Sequence, residues 1–94
     1  MTDVPVQIES LSELRRHVLQ VLCERENLIM DQFTLQESAL VRRGESCGRQ
    51  FTLYGPRSIR LGAVWAADRN DLYFYDARGE RFRKERLGTE IQAA

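Results

Sequence analysis

The residues that could carry out catalysis are one histidine and two cysteines. His17 is the only histidine of the chain, and Cys23 and Cys47 are the only cysteines. His17 and Cys23 are six positions apart on a predicted helix, so their side chains diverge too far to bind one metal ion from that helix. Because no nucleophile or orienting carboxylate is evident beside His17, we interpret it as a boundary side chain near Glu13.

Sequence motifs of known active sites and cofactor sites do not occur. Asp68, Asn70 and Asp71 resemble the start of a calcium-binding loop, but Tyr73 stands where that loop needs glycine and Gly79 where it needs glutamate. The serine-hydrolase elbow, the zinc-protease helix, the Walker A loop and the dinucleotide-binding glycine pattern are all missing. We therefore predict a protein that is not an enzyme, with no catalytic residues, metal site or cofactor.

Tyrosines and arginines in the second half of the chain are the remaining chemical signal. Tyr73 and Tyr75 are two residues apart, a spacing that places both side chains on one face of a strand. Gly62 would leave a shallow gap in the middle of that face. The candidate binding face consists of Tyr54, Arg60, Tyr73, Tyr75 and Arg83.

A helix near the N-terminus must form part of the scaffold of this face. The segment Ser10-Leu11-Ser12-Glu13 fits the capping box, in which the serine hydroxyl and the glutamate each bind a free backbone amide. Helical periodicity predicts a helix over residues 10–26, and Asn27 suits the left-handed residue that follows a helix. The apolar stripe of the helix is Leu11, Leu14, Val18, Val21 and Leu22.

From Leu35 onward the apolar pattern changes to the alternation of strands. Short separators rich in glycine, proline, Asp and Asn allow only antiparallel neighbours, because a parallel crossover needs a dozen or more residues. We predict an α+β fold with one N-terminal helix packed on a four- or five-stranded antiparallel meander. The predicted strands are 36–43, 47–54, 58–67, 71–76 and 80–86.

The alternation also assigns the two faces of the sheet. The apolar set that should face the helix is Phe51, Leu53, Ile59, Leu61, Ala63, Trp65, Leu72 and Phe74. The opposite set is Gln50, Thr52, Tyr54, Arg60, Gly62, Val64, Tyr73 and Tyr75. The last strand adds to that opposite set either Arg81, Arg83 and Glu85, or Phe82 and Lys84.

Length and composition fit one small folded domain. The 94 residues are 43% hydrophobic and 30% charged, which is typical of a globular chain. We predict a flexible N-terminus at 1–9, a single domain at 10–87 and a frayed tail at 88–94. The longest apolar run, residues 61–67, is too short to cross a bilayer, and no signal peptide is evident, so we expect a cytoplasmic protein with free thiols and no membrane partner.

The charges are divided unevenly along the chain. Residues 1–41 carry three basic and seven acidic side chains, a net charge of −4, whereas residues 42–86 carry eleven basic and six acidic side chains, a net charge of +5. This division favours a dipolar molecule whose second half presents a positive field to partners.

Two functions fit the arginine and tyrosine face. The first is a protein-interaction or regulatory module that binds another protein, or a second copy of itself, through this face or through the edge strand 36–43. The alternative is weak binding of single-stranded nucleic acid through the same face. The pI of about 6.6 and the absence of the RNP1 pattern favour the first.

Overall fold

The computed structural model describes residues 7–29, 32–88 and 91. One helix and five strands follow each other along this part of the chain. Their bounds are α1 Leu11–Arg25, β1 Leu35–Arg42, β2 Glu45–Tyr54, β3 Arg60–Ala66, β4 Asp71–Tyr75 and β5 Arg81–Arg86. Every element agrees with its predicted range to within two residues at either end.

Helix α1 begins and ends where the sequence predicts. Ser10 keeps an extended backbone, and its Oγ accepts a hydrogen bond from the Glu13 amide at 3.2 Å. The chain leaves the helix through Asn27, whose φ of 56° is the left-handed conformation that asparagine tolerates. None of the described segments contains a helix long and apolar enough to cross a membrane.

The five strands form one antiparallel sheet in the order β1-β2-β3-β4-β5. Each strand pairs with the next one in sequence, as the short turns predict. In the register, Phe51 lies opposite Ala63, and Trp65 lies opposite Leu72, so the predicted apolar residues of neighbouring strands share one face. The structure therefore confirms the α+β fold with an N-terminal helix and fixes the number of strands at five.

The core lies between α1 and this face of the sheet. The predicted apolar set of the sheet is buried there, apart from Ile59, which is half-buried just before β3. Burying a large apolar side chain stabilises a fold by about 1.5–3 kcal/mol, so the predicted set supplies much of the driving force. The helix contributes Leu14, Val18, Val21, Leu22 and Cys23.

The core extends further along the chain than the predicted domain, 10–87. Ile8 and Ile91, predicted to lie in the flexible N-terminus 1–9 and the frayed tail 88–94, are both buried against the core. The remainder of those two predicted segments, residues 1–6, 89, 90 and 92–94, lies outside the described residues. Isolated apolar residues without a periodic context carry too weak a signal to be assigned to a core.

Charged contacts hold α1 over the sheet on both of its sides. Arg15 pairs with Glu37 of β1 through two contacts, one of them from Nη2 to Oε2 at 3.2 Å. On the opposite side, His17 hydrogen-bonds to Glu85 of β5. Arg15 and His17 point about 200° apart around the helix, at 3.6 residues per turn. Their contacts with β1 and β5 therefore hold α1 across the middle of one face of the sheet. The other face remains uncovered.

Candidate functional site

The face of the sheet opposite α1, here called the outer face, has no second layer in the part of the chain that the structure describes. No helix or strand of the described chain packs on this side. The register brings the predicted opposite set together here and adds residues of β5. The outer face of β2 to β5 is formed by Gln50, Thr52, Tyr54, Arg60, Gly62, Val64, Tyr73, Tyr75, Arg81, Lys84 and Arg86.

Four of the five predicted binding residues lie together on the outer face. Tyr54 pairs with Arg60 across β2 and β3, and the Tyr54 side chain is 55% exposed. Tyr73 and Tyr75 follow on β4, where both are half-buried. A strip of aromatic rings and a guanidinium therefore crosses the three central strands, as the alternation predicts.

Two cations of β5 lie over the ring of Tyr73. The Arg81 guanidinium carbon is 5.2 Å from the ring centroid, and the Lys84 Nζ is 5.6 Å from it. Both distances are within the range of cation–π attraction. The phenol oxygen lies 3.5 Å from Asp71 Oδ2. The Tyr73 ring thus holds the two cations of the edge strand β5, and a ligand that stacks on this ring has to displace Arg81 and Lys84.

Arg83 does not belong to the outer face, and its predicted place in the binding set is corrected by the register. It pairs with Phe74, a core residue, and its guanidinium carbon is 5.9 Å from the Phe74 ring centroid. Its Nη2 also lies 2.5 Å from Oε2 of Glu85, on the helix side of the sheet. Arg83 therefore points away from the tyrosines.

A register shift between Phe74 and Tyr75 explains this difference. The shift breaks the alternation of β5, so neither of the two predicted parities holds along the whole strand. Arg81 and Lys84 reach the outer face, whereas Phe82 contacts Phe74 on the core side. The sequence gives a partial signal of this shift. The apolar side chain of Phe82 is expected to be buried in the core, which changes the alternation of the residues next to it.

The outer face carries excess positive charge. Among the β3, β4 and β5 positions that share it, Asp71 is the only acidic residue. Asp71 is 3% exposed, and its Oδ1 lies 3.5 Å from Nε of Arg86. Because this buried carboxylate is matched by Arg86, the charges of Arg60, Arg81 and Lys84 remain available to a partner.

A groove of about 530 Å³ runs over Gly62 in the middle of the outer face. It is the shallow gap that the missing side chain predicts. The groove borders on β2, β3, the end of β4 and the turn between β4 and β5. Polar and charged side chains of its lining are Gln50, Thr52, Arg60, Tyr75, Asp76 and Arg78.

The carboxylate of Asp76, the acidic residue of the groove, is hydrogen-bonded by the turn that follows β4. Its Oδ1 accepts hydrogen bonds from the amides of Arg78 at 2.9 Å and Glu80 at 3.0 Å. The Glu80 amide is the main cause of the lowered pKa of Asp76, against the opposing effect of burial. Its Oδ2 is 3.8 Å from Arg25 of the helix. The Asp76 carboxylate, which is part of the groove lining, is therefore already held by two turn amides and by Arg25.

A second cluster of charged residues lies on the helix side of the sheet. His17 Nε2 is 2.6 Å from Oε1 of Glu85, a carboxylate that is 8% exposed. Burial alone raises the pKa of Glu85, but the hydrogen bond and charge of His17, together with Arg83, hold it below its ordinary value. The contact replaces the predicted neighbour of His17, Glu13, and joins α1 to β5 inside the fold.

The remaining chemical groups do not form a second site. A concavity near the β1–β2 turn mixes Arg42 and Arg43 with Glu45 and Asp68, so its charges are balanced. Both cysteines are free, and burial raises the pKa of the Cys23 thiol. Within residues 7–29, 32–88 and 91, no group of three or more His, Cys, Asp or Glu side chains is placed to hold a metal ion.

Comparison with known proteins adds no relative: no family model matches the chain, and no match was found among curated proteins or solved structures. The function is therefore inferred from the geometry and charge of the outer face.

Proposed function

We propose that this chain is a non-enzymatic interaction module whose outer face binds an acidic surface of a protein partner. The observation that carries the proposal is the uncovered sheet face that Tyr54, Arg60, Tyr75 and Lys84 share. Tyrosine and arginine are enriched at the centres of protein interfaces, where tyrosine buries a large area at low entropic cost and arginine adds charge.

The charge pattern supports a partner of opposite sign. Arg60, Arg81 and Lys84 lie on strands of the sheet, so their backbone is already ordered and binding an acidic surface costs mainly the rotamer freedom of the three side chains. Positive potential over one face also speeds association with acidic partners. The two unpaired cysteines fit a reducing compartment such as the cytoplasm.

Affinity capture with charge-reversed variants tests this proposal. The full chain is immobilised as wild type, as Lys84→Glu and as Arg16→Glu. Each form is exposed to the same cell lysate, and the proteins that it retains are compared by mass spectrometry. Arg16 is exposed on α1, away from the outer face, and serves as the matched control. A protein retained by wild type and Arg16→Glu but lost from Lys84→Glu supports the proposal. Retention by all three variants, or by none, contradicts it.

Light scattering separates a foreign partner from a second copy of the chain. The acidic first part and the basic second part of the sequence make an antiparallel pair of copies with two-fold symmetry chemically reasonable. A mass of twice 10.9 kDa that falls to the monomer in Lys84→Glu identifies the partner as a second copy. A monomer at every concentration leaves the acidic surface of another protein as the target.

Single-stranded nucleic acid is the second candidate, favoured by one observation. Tyr54 is 55% exposed beside Arg60, so a base can stack on its ring while the guanidinium meets a phosphate. A labelled oligonucleotide should then bind with an affinity that falls steeply with salt and drops in Tyr54→Ala and Tyr73→Ala. An anisotropy signal that stays flat at low salt excludes this function.

A further inference from the structure

Gly62 lies in the interior of β3, the central strand of the sheet. Glycine weakens a strand interior by about 0.5–1 kcal/mol because it loses more backbone entropy and packs no side chain. A glycine at such a place is usually needed for a bulge, for a left-handed backbone, or for another group that approaches the backbone closely. Each of these requirements can be checked in the structure.

Neither a bulge nor the backbone conformation requires glycine at position 62. The register is regular through it, with Thr52 opposite on β2 and Tyr75 opposite on β4. Its φ lies outside the left-handed region, unlike that of Gly48. An ordinary strand residue therefore fits the backbone at this position.

Crowding within the chain does not require glycine either. A Cβ built on Gly62 meets only the carbonyl oxygen of Phe51, at 3.5 Å, which is ordinary van der Waals contact. The ring of Tyr75 does not come within 4 Å of that Cβ, so it does not cover the glycine. The absence of a side chain at this position serves to keep the groove open.

The groove has the size and lining of a site for an extended segment. Along β3 it reaches from Arg60 to Val64, about 13 Å at 3.3 Å per residue. Its volume of about 530 Å³ is in the range of sites that bury a ligand. Arg60 and Arg78 supply positive charge in its lining, beside the Asp76 carboxylate that the turn amides hold, and Tyr75 supplies an aromatic ring.

We propose that this groove binds a short extended acidic segment of the protein partner, whose backbone crosses Gly62 and whose carboxylates meet Arg60 and Arg78. This assignment rests on the proposed function and narrows it to one site and one kind of ligand. Arginine pairs with carboxylates through a planar fork, which selects acidic side chains over neutral ones. The open backbone at Gly62 selects a segment that lies flat on the sheet.

The substitution Gly62→Val tests the site without weakening the fold. Valine is favoured in strands, and its Cβ finds space, so thermal stability should be equal to or higher than that of wild type. Its methyl groups fill the floor of the groove. Ala39→Val is the matched control, because Ala39 is exposed on the edge strand β1, shares the parity of Arg49 and Trp65 on the helix side of the sheet, and does not line the groove.

A display library of random seven-residue peptides serves as the probe. The immobilised full chain selects peptides, and their affinities for wild type, Gly62→Val and Ala39→Val are then measured by fluorescence polarisation. We expect selected peptides to be enriched in Asp and Glu. We also expect binding to weaken at least tenfold in Gly62→Val and in a second variant, Arg60→Gln, and to be unchanged in Ala39→Val.

Any of four outcomes overturns the groove assignment. The first is selection of no peptide, or of peptides without acidic enrichment. The second is equal binding of acidic peptides to wild type and Gly62→Val. The third is binding of a labelled single-stranded oligonucleotide that Gly62→Val abolishes, which makes nucleic acid the ligand. If Lys84→Glu loses a captured protein while Gly62→Val retains it, the groove assignment fails and the interaction function of the outer face stands.

Discussion

The indole Nε1 of Trp65 donates a hydrogen bond to Oδ1 of Asn70 at 3.0 Å. Asn70 in turn donates from Nδ2 to the carbonyl oxygen of Leu87 at 3.3 Å. One side chain in the β3–β4 turn therefore satisfies the polar group of the largest core residue and ties the end of β5 to that turn. The contact fixes Trp65, which is 1% exposed, on the helix side, and so defines which face of the sheet is the outer face.

We predict that Asn70→Ala destabilises the fold by about 2–4 kcal/mol. The substitution leaves the buried indole N–H without a partner and places alanine at a φ of 54°, which adds backbone strain. Asn70→Gly removes the same hydrogen bonds but accepts that φ, so it should cost less than Asn70→Ala. Urea unfolding followed by tryptophan fluorescence measures both. Equal stability of wild type and Asn70→Ala would show that the hydrogen bond is unimportant.

The contact between His17 and Glu85 makes stability depend on acid pH. The folded pKa of Glu85 lies below its ordinary value of 4.5, so its contribution is complete above that value and is lost as the pH falls through the folded pKa. We predict that the free energy of unfolding falls more between about pH 6 and about pH 3 in wild type than in Glu85→Gln.

The control for this pH series is Glu13→Gln, on the exposed first turn of α1. Glu13 does not contact β5, so its variant should keep the acid sensitivity of wild type. If the wild-type and Glu85→Gln curves of stability against pH run parallel, the Glu85 carboxylate is not linked to folding.

Gly48 is a glycine that no residue with a side chain can replace without strain. Its φ is 156°, and a Cβ at this position would lie 2.0 Å from the carbonyl oxygen of Trp65. Gly48→Ala should therefore destabilise the protein by about 3 kcal/mol or more. Gly44→Ala is the matched control, because Gly44 also has a positive φ but nothing within 4 Å of its Cβ, and it should cost only about 1 kcal/mol. Calorimetry that finds similar losses for both variants would contradict the steric account.

The cap of α1 offers a smaller effect. Ser10→Ala removes the acceptor of the Glu13 amide and should cost about 1 kcal/mol of stability. Ser12→Ala, at an exposed position inside the same first turn, should change stability little, since alanine is the better helix former. Thermal melts of the two variants measure the difference. A larger loss for Ser12→Ala would show that the helix starts elsewhere.

The helix, the strand order and the two faces of the sheet follow from local rules, and the sequence predicts them well. The capping box locates the start of α1, and turns too short for a crossover leave only an antiparallel meander. Alternation then places Tyr54 and Trp65 on opposite faces of the sheet, because the strands β2 and β3 carry several large apolar residues at alternate positions. These signals act over a few residues and need no knowledge of distant contacts.

The features that sequence reasoning missed depend on distant contacts. The sequence alone places Arg83 on the outer face, because the register shift opposite Tyr75, which moves it to the helix side, cannot be read from the alternation of β5. The partner of His17 is Glu85, 68 residues away, and no local pattern connects them. The burial of Ile8 and Ile91 likewise depends on how the two ends of the domain meet the core.

The most direct test of the central claim is a titration of the ¹⁵N-labelled protein with an acidic peptide selected from the display library, followed by amide chemical shifts. We predict that the largest shifts map to Gln50, Gly62 and Tyr75 on the outer face, and that the amides of α1 stay unchanged. Shifts centred on α1, or none at the amide of Gly62, would contradict the assignment of this face as the binding surface.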